Sequence, residues 1–201
     1  VEYMAALLTA DAGDTEKIAV LVAECVRLSI PVLPPDVSES GSTFTVVDGG
    51  KAIRFGLASI KNFGEGISEA ILAERIAHGP FASLSDFLCR IAQKNLNRKS
   101  LESLIKAGVF DSLGEERGAL LYNIDDALEY HRESVRAKAD AQDSLFGGMT
   151  ADALPSFRLR EAPEAGKREK LAWEKELLGL YISGHPLEEH RAKMEKAGIN
   201  I

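Results

Sequence analysis

The sequence is poor in cysteine, in long apolar runs and in net positive charge, and each shortage closes off a class of function. Two cysteines, Cys25 and Cys89, occur in 201 residues. Each falls on an apolar helical face, and neither has metal-ligand spacing around it, so both read as reduced core thiols. That usage fits the cytoplasm. No run is apolar for long enough to span a bilayer and no secretory signal is present, so no membrane partner is expected. Lysine and arginine number 24 against 31 aspartate and glutamate, a formal net charge of −7. Such a balance argues against a general polyanion binder. An initiating methionine is missing too. The chain starts at Val1 and stops at Ile201, just after an apparent helix, and reads as a piece of a larger protein.

The acidic balance is uneven. Residues 1–55 carry four basic and eight acidic residues, residues 56–114 seven and six, and residues 115–201 thirteen and seventeen. Only the middle stretch escapes it. A local basic face there could hold DNA if a larger parent supplied most of the charge.

That middle stretch, Gly56 to Gly114, organises the chain. Its first half places Asn62-Phe63-Gly64-Glu65-Gly66 between two apolar-periodic runs. Leu57 and Ile60 precede the glycines; Ile67, Ala70, Ile71 and Arg75 follow them. The pattern predicts helix, tight turn, helix. Glycine permits positive φ and close approach of another chain. The second helix then points free N–H groups into the turn, and such an end attracts phosphate. An element of this kind holds a nucleic-acid backbone without reading its sequence. It resembles a helix-hairpin-helix, with Gly64, Gly66 and the small Ala70 four positions later. Two registers are open. In one, Glu65 takes the central position, which is usually apolar. In the other, Asn62-Phe63-Gly64 restores the apolar centre, with Asn62 tolerating left-handed backbone. A helical corner that only packs is equally compatible with this hairpin taken alone.

Elsewhere the chain reads mainly as helix. Residues 2–8 form a short apolar helical run. Asp14 can cap the next helix, whose apolar stripe is Ile18, Leu21, Val22, Cys25 and Val26. Pro34-Pro35 forces extended backbone. Thr43 to Val47 and Ala52 to Phe55 flank Asp48-Gly49-Gly50, a small β-hairpin. Gly79-Pro80 stops the helix begun near Ile67. Ser83 or Ser85 starts another, with Phe87, Leu88 and Ile91 inward. Asn97 can cap a helix carrying Leu101, Leu104 and Ile105, and Gly108 is a left-handed stop. Leu101 to Leu113 therefore resembles a second, degenerate hairpin unit, with the basic residues Lys94, Arg98 and Lys99 at its start; an ordinary solvated turn is the alternative.

Arg117 to Asp140 is the longest helix candidate, with Leu120, Leu121, Ile124, Leu128, His131 and Val135 at helical spacing. His131 reads as a partly packed surface residue, because no partner stands at ligand spacing. Residues 147–168, with Gly147, Gly148, Pro155, Pro163 and Gly166, read as a linker or mobile loop. Residues 169–182 are helical again, with Leu171, Leu177, Leu178 and Tyr181 on one side and Trp173 as a packing anchor. Ser183-Gly184-His185-Pro186 reads as a helix-stop turn, with no third partner for a nucleophile.

Several long motifs occur in a fixed order: VLPPDV, FTV, IRFGLASIKNFGEG, GPFASLSDFLCR, LNRKSLESLIKAGVFDSLG and EKELLGLYISGHPL. Together they resemble the C-family replicative polymerases, the α subunits of bacterial DNA polymerase III, over nearly the whole chain and least over residues 147–168. The resemblance implies a mainly α fold: a helical fingers end at 1–48, a tandem helix-hairpin-helix domain at 49–140 with one small β-hairpin, a clamp-binding peptide and linker at 141–168, and a helical connection toward an oligonucleotide-binding domain at 169–201. It implies duplex DNA as partner, held near Lys61, Asn62, Gly64, Gly66, Lys94, Arg98 and Lys99. The family's catalytic carboxylates lie in the palm, upstream. No carboxylate pair here suits nucleotidyl transfer, so this chain is expected to be inactive alone and without a cofactor, while Mg2+ and deoxynucleoside triphosphates belong to the parent's palm. Asp125-Asp126 is the nearest lookalike, and adjacent helical residues diverge around the axis, which makes that pair a solvated face.

Gln142-Asp143-Ser144-Leu145-Phe146 matches a Gln-x-x-Leu-Phe peptide and resembles the motif with which bacterial proteins bind the β sliding clamp. The resemblance implies that Gln142 hydrogen-bonds at the rim of a pocket on the clamp, beside Ser144, while Leu145 and Phe146 fill it. A pair folded back on its own helix is the alternative. Other replicase subunits would be met through the parent. The competing reading of the whole is a structural or protein-interaction helical module with no DNA contact of its own.

Overall fold

The computed structural model describes residues 1–91, 96–143, 157–184 and 186, with side chains left aside at 65 and 139–143. Helices dominate: α1 (Glu2–Ala10), α2 (Thr15–Arg27), α3 (Glu65–His78), α4 (Leu84–Arg90), α5 (Arg98–Lys106), α6 (Arg117–Tyr122), α7 (Ile124–Asp143) and α8 (Lys167–Leu178). Asp14 caps α2 as its place in the sequence predicts, accepting from the N–H groups of Glu16 and Lys17 at 3.2 Å each. Ile18 and Cys25 of the predicted stripe are fully buried, and Leu21 and Val22 pack against the core. Val26 does not join them: it is 71% exposed. Along α2 the main described neighbours are α1 and β1 (Val32–Leu33), so the buried stripe is narrower than the apolar one.

The predicted hairpin forms. β2 (Thr45–Val47) pairs antiparallel with β3 (Ala52–Arg54), Thr45 opposite Arg54 and Val47 opposite Ala52. Its turn needs three successive positive φ angles, 54° at Asp48, 63° at Gly49 and 90° at Gly50, which is why aspartate and two glycines stand there. β1 adds a third strand, parallel to β3, in the order β1-β3-β2. Two residues ahead of Pro34-Pro35 are too few to show strand alternation in sequence. Past β3 the chain passes under residues 41–43. Leu57 and Ala58 donate to the carbonyls of Gly41 and Ser42 at 2.9 Å, and a Cβ on Gly56 would meet the Thr43 backbone at 2.4 Å.

The long helix expected at Arg117 to Asp140 is two helices. Asn123, fully buried between α6 and α7, donates to the carbonyls of Ala119 at 2.8 Å and Arg160 at 3.0 Å and accepts the Arg160 N–H at 2.9 Å. Its amide competes with the helix ladder and breaks it. The same contacts correct the reading of residues 147–168 as a linker, as far as they are described. Phe157 stacks on Tyr130 with centroids 5.6 Å apart, Leu159 packs on the core, and Ala165 donates to Glu116 at 3.1 Å. The anchors stand on other elements, where local composition cannot reveal them. His131 is also corrected. It is 1% exposed, and its Nδ1 lies 2.7 Å from the Leu88 carbonyl of α4.

Candidate nucleic-acid interface

The structure selects one hairpin register. Leu57–Ser59 is a single 3-10 turn rather than the expected first helix. Ile60 is extended, Asn62 takes φ 63°, and Phe63 turns inward to 7% exposure. Asn62-Phe63-Gly64 is thus the hairpin, with the apolar residue as its plug. Gly64 is the N-cap of α3, and Gly66 lies inside the first turn of that helix. Burying the Phe63 ring contributes about 2 kcal/mol toward closing the turn.

The α3 start is open. Gly64 supplies no side-chain cap, and a Cβ built on Gly64 or Gly66 would meet nothing within 4 Å. The Ile67 N–H donates to the Gly64 carbonyl at 3.1 Å; the N–H groups ahead of it, at the very start of the helix, have no intrahelical acceptor and can donate to an oxyanion. Lys61 and Asn62 are exposed beside it. Two ties hold this surface in place: the Lys61 N–H donates to the Leu177 carbonyl at 2.9 Å, and the Ser68 and Ser42 hydroxyls meet at 2.8 Å. Ser68 is fully buried, and nothing in its local spacing announced that role.

The second unit is built differently. Asn97 caps α5, accepting the Ser100 N–H at 3.0 Å, while the Ser100 hydroxyl accepts the Asn97 N–H at 2.9 Å. This reciprocal box occupies the helix end that the first unit leaves open. Arg98 is half exposed and ion-paired with Asp125; Lys99 is exposed. Asp126 pairs with Arg160, so the two adjacent aspartates each hold an arginine on the surface. Lys94 lies outside the described residues. The first cluster rests on the end of α8 and the second faces α7, and the described contacts bring them to different neighbours.

The turn after α5 is closed. Gly108 takes φ 79° as predicted, but Val109 and Phe110 are buried and the Val109 carbonyl accepts the Val37 N–H at 2.9 Å. A Cβ on Gly108 would fall 2.2 Å from Nη2 of Arg117. That guanidinium is 5% exposed and donates to Asp111 at 2.6 Å, Glu174 at 3.1 Å and the Lys106 carbonyl at 3.2 Å. Burial alone would lower its pKa; hydrogen bonding to Asp111 and the charges of Asp111 and Glu174 outweigh that and raise it. The other oxygen of Glu174 accepts the N–H groups of Ile182 at 2.9 Å and Ser183 at 3.0 Å. Sequence reading missed this clasp. One signal was available: Glu174 interrupts the apolar face of α8 between Leu171 and Leu177, where a charge needs a buried partner.

Helix α7 runs on to Asp143, so Gln142 sits in its last turn rather than after it. Ser144, Leu145 and Phe146 lie outside the described residues. Among the described residues no group of histidine, cysteine and carboxylate side chains could hold a metal ion, and no helix is long and apolar enough to cross a membrane.

A helix-hairpin-helix motif family model matches residues 29–120. The DNA polymerase III subunit alpha of Deinococcus radiodurans is 44% identical over 204 residues, covering 100% of this chain and 15% of that protein. The subunit of Vibrio cholerae is 40% identical over 97% of this chain and 17% of its own length, and that of Thermus aquaticus 40% identical over 100% and 16%. The chain thus spans about one sixth of the length of these relatives.

Proposed function

Since this chain is homologous to one segment of the DNA polymerase III alpha subunits, we propose that it grips duplex DNA for a replicative polymerase and tethers that polymerase to the sliding clamp. The observation that carries the first part is the open start of α3. Asn62 turns the chain, Phe63 plugs the core, and Gly64 and Gly66 leave the first helical turn clear beside Lys61. A phosphate meets N–H groups there and no base is read, so binding is sequence-tolerant and salt-sensitive. Titrating duplex DNA into the chain at two salt concentrations tests this. Affinity that falls steeply with salt and ignores base sequence is the expected result. Affinity unchanged by salt, or no binding at either concentration, favours a module that only packs. The closed turn at Gly108 is the observation that speaks for that second reading, and it limits the phosphate role to the first hairpin and the basic start of α5. Neutralising Lys94, Arg98 and Lys99 together lowers DNA affinity in the parent if that start contributes.

The tether rests on the sequence pattern Gln142-x-x-Leu145-Phe146 and on its place after the hairpin units. Leu145→Ala with Phe146→Ala abolishes clamp binding and processive synthesis while sparing the fold and short-range synthesis. Native clamp affinity in that double variant would overturn the tether. Catalysis, with Mg2+ and nucleoside triphosphates, belongs in this reading to the parent's palm, and the chain alone extends no primer.

A further inference from the structure

Residues 36–42 form one stretch that touches both hairpin units. Asp36 sets its turn, accepting the N–H groups of Ser38 at 2.7 Å and Glu39 at 3.0 Å. The Ser40 hydroxyl accepts the Asp36 N–H at 2.9 Å and donates to the Phe55 carbonyl at 2.7 Å. Val37, fully buried within the turn, is bonded on both sides. Its carbonyl accepts from Nη1 of Arg75 on α3 at 3.1 Å. Its N–H donates to the Val109 carbonyl at 2.9 Å, and the Val109 N–H donates to the Leu104 carbonyl of α5 at 3.0 Å. A continuous run of hydrogen bonds thus joins α3, in the first unit, to α5, in the second.

Arg75 closes this run from the α3 side. It stands in the last turn of that helix, and its Nη2 donates to the Ser40 carbonyl at 2.7 Å. A guanidinium is a planar fork, so the two bonds hold it against the stretch in one orientation. Burial lowers its pKa, and the charges of Asp36 and Glu39 raise it by less. Further along, the Ser42 hydroxyl meets that of Ser68 on α3 at 2.8 Å. The Gly41 and Ser42 carbonyls accept from Leu57 and Ala58, the run into the first hairpin. The core offers another route between the units, through Phe81, Phe87 and Phe110, whose rings meet edge to face at 5.3 and 4.9 Å. That route is apolar and non-directional; Arg75 supplies a directional one.

We propose that Arg75 is a positioning residue for DNA binding: through Val37 it holds the starts of α3 and α5 in one fixed relation, so that both meet phosphates of a single duplex together. The inference rests on the duplex-gripping reading. Each start alone is a weak site. One offers N–H groups beside Lys61, the other Arg98 and Lys99. On a rigid frame the second contact follows the first at high effective concentration, and on a loose frame it does not. The number of phosphates engaged together sets how steeply affinity falls with salt, about 0.9 in the logarithmic slope for each. Loss of folded protein lowers affinity alike at every salt concentration and leaves that slope alone. The slope therefore separates positioning from stability.

The test compares the unaltered chain with Arg75→Gln and Arg75→Lys, and with Ile18→Ala as a destabilised control. Hydrogen exchange reads the Val37 amide, and duplex titrations over a range of salt read the slope. In Arg75→Gln the Val37 amide exchanges about tenfold faster. Duplex affinity at low salt falls about tenfold, and the slope becomes shallower by about one. Ile18→Ala keeps the slope of the unaltered chain. Arg75→Lys keeps the charge but not the fork, and its slope is shallower as well. Should Arg75→Gln fail to fold, Ser68→Ala loosens the same stretch more mildly and shifts the slope in the same direction. Val37 protection equal to that of the unaltered chain overturns the link from Arg75 to Val109. Faster exchange with an unchanged slope overturns the positioning role while the duplex-gripping reading stands. A slope restored by Arg75→Lys means that Arg75 meets phosphate by its charge, which also overturns the proposal. An unaltered chain without salt-dependent duplex binding overturns the gripping reading and the positioning role together.

Discussion

Arg117 shows how much one buried charge can organise. Its guanidinium lies against Gly108, holds Asp111 and Glu174, and through Glu174 fixes the Ile182 and Ser183 amides. Glycine at 108 is required twice over, by φ 79° and by the guanidinium where a Cβ would go. Gly108→Ala should cost about 1–3 kcal/mol, because the arginine cannot move aside without leaving its carboxylates. Urea denaturation measures that loss. Tyr130 offers a second test at this scale. Burial, then its hydrogen bond with Cys89, pushes its pKa up from 10.0 to about 12. The folded state holds the phenolic proton more tightly than the unfolded state does. That stability is fully present below about pH 10 and is lost as pH rises toward about 12. Urea midpoints at rising alkaline pH should fall across this window, and the fall should be shallower in Tyr130→Phe. Residues of this kind were the least legible in sequence. The caps at Asp14 and Asn97 could be read, and Ser83 as one of two choices with Ser85, because their partners are three residues away or fewer. Ser68, Arg117 and Asn123 could not, because their partners stand on distant parts of the chain.

At the level of the element, two hairpins of similar sequence have opposite surroundings. Both end a helical or near-helical run with a left-handed residue, Asn62 in one and Gly108 in the other. The first leaves its following helix uncapped and clear; the second is buried under Arg117 and tied to Val37. Local pattern announces a turn, but whether the turn faces solvent depends on what packs over it. The register of the first hairpin was undecidable in sequence for the same reason: Phe63 prefers the core over Glu65, and only the fold shows that a core lies beneath. Phe63→Ala should cost about 3 kcal/mol and loosen the entrance to α3. Duplex affinity should fall with it, more than in an equally destabilised variant elsewhere, such as Ile18→Ala. Equal losses in the two variants would mean that the hairpin contributes stability alone.

Across the molecule, helix content, the β-hairpin and most of the apolar core were legible, since period and turn residues are local signals. The third strand, the break at Asn123 and the course of residues 157–166 were not, since each depends on contacts between remote segments. Those remote contacts also fix both flanks of residues 144–156. The chain leaves the described body at the end of α7, where Lys138 donates to the Cys89 carbonyl at 2.8 Å, and returns at Phe157 against Tyr130. Beyond the return, Asn123 grips the Arg160 peptide and Glu174 engages Arg117. A protease site engineered between 144 and 156 should therefore give two pieces that elute together in native gel filtration; separation would show that the flanks are not held. A ligand seated on Leu145 and Phe146 would then hang from a sling with two anchorages rather than from a rope with one. Its pull would divide between the α4–α7 contact and the Asn123 seam, so severing the sling on one side would slacken the connection without casting the load free.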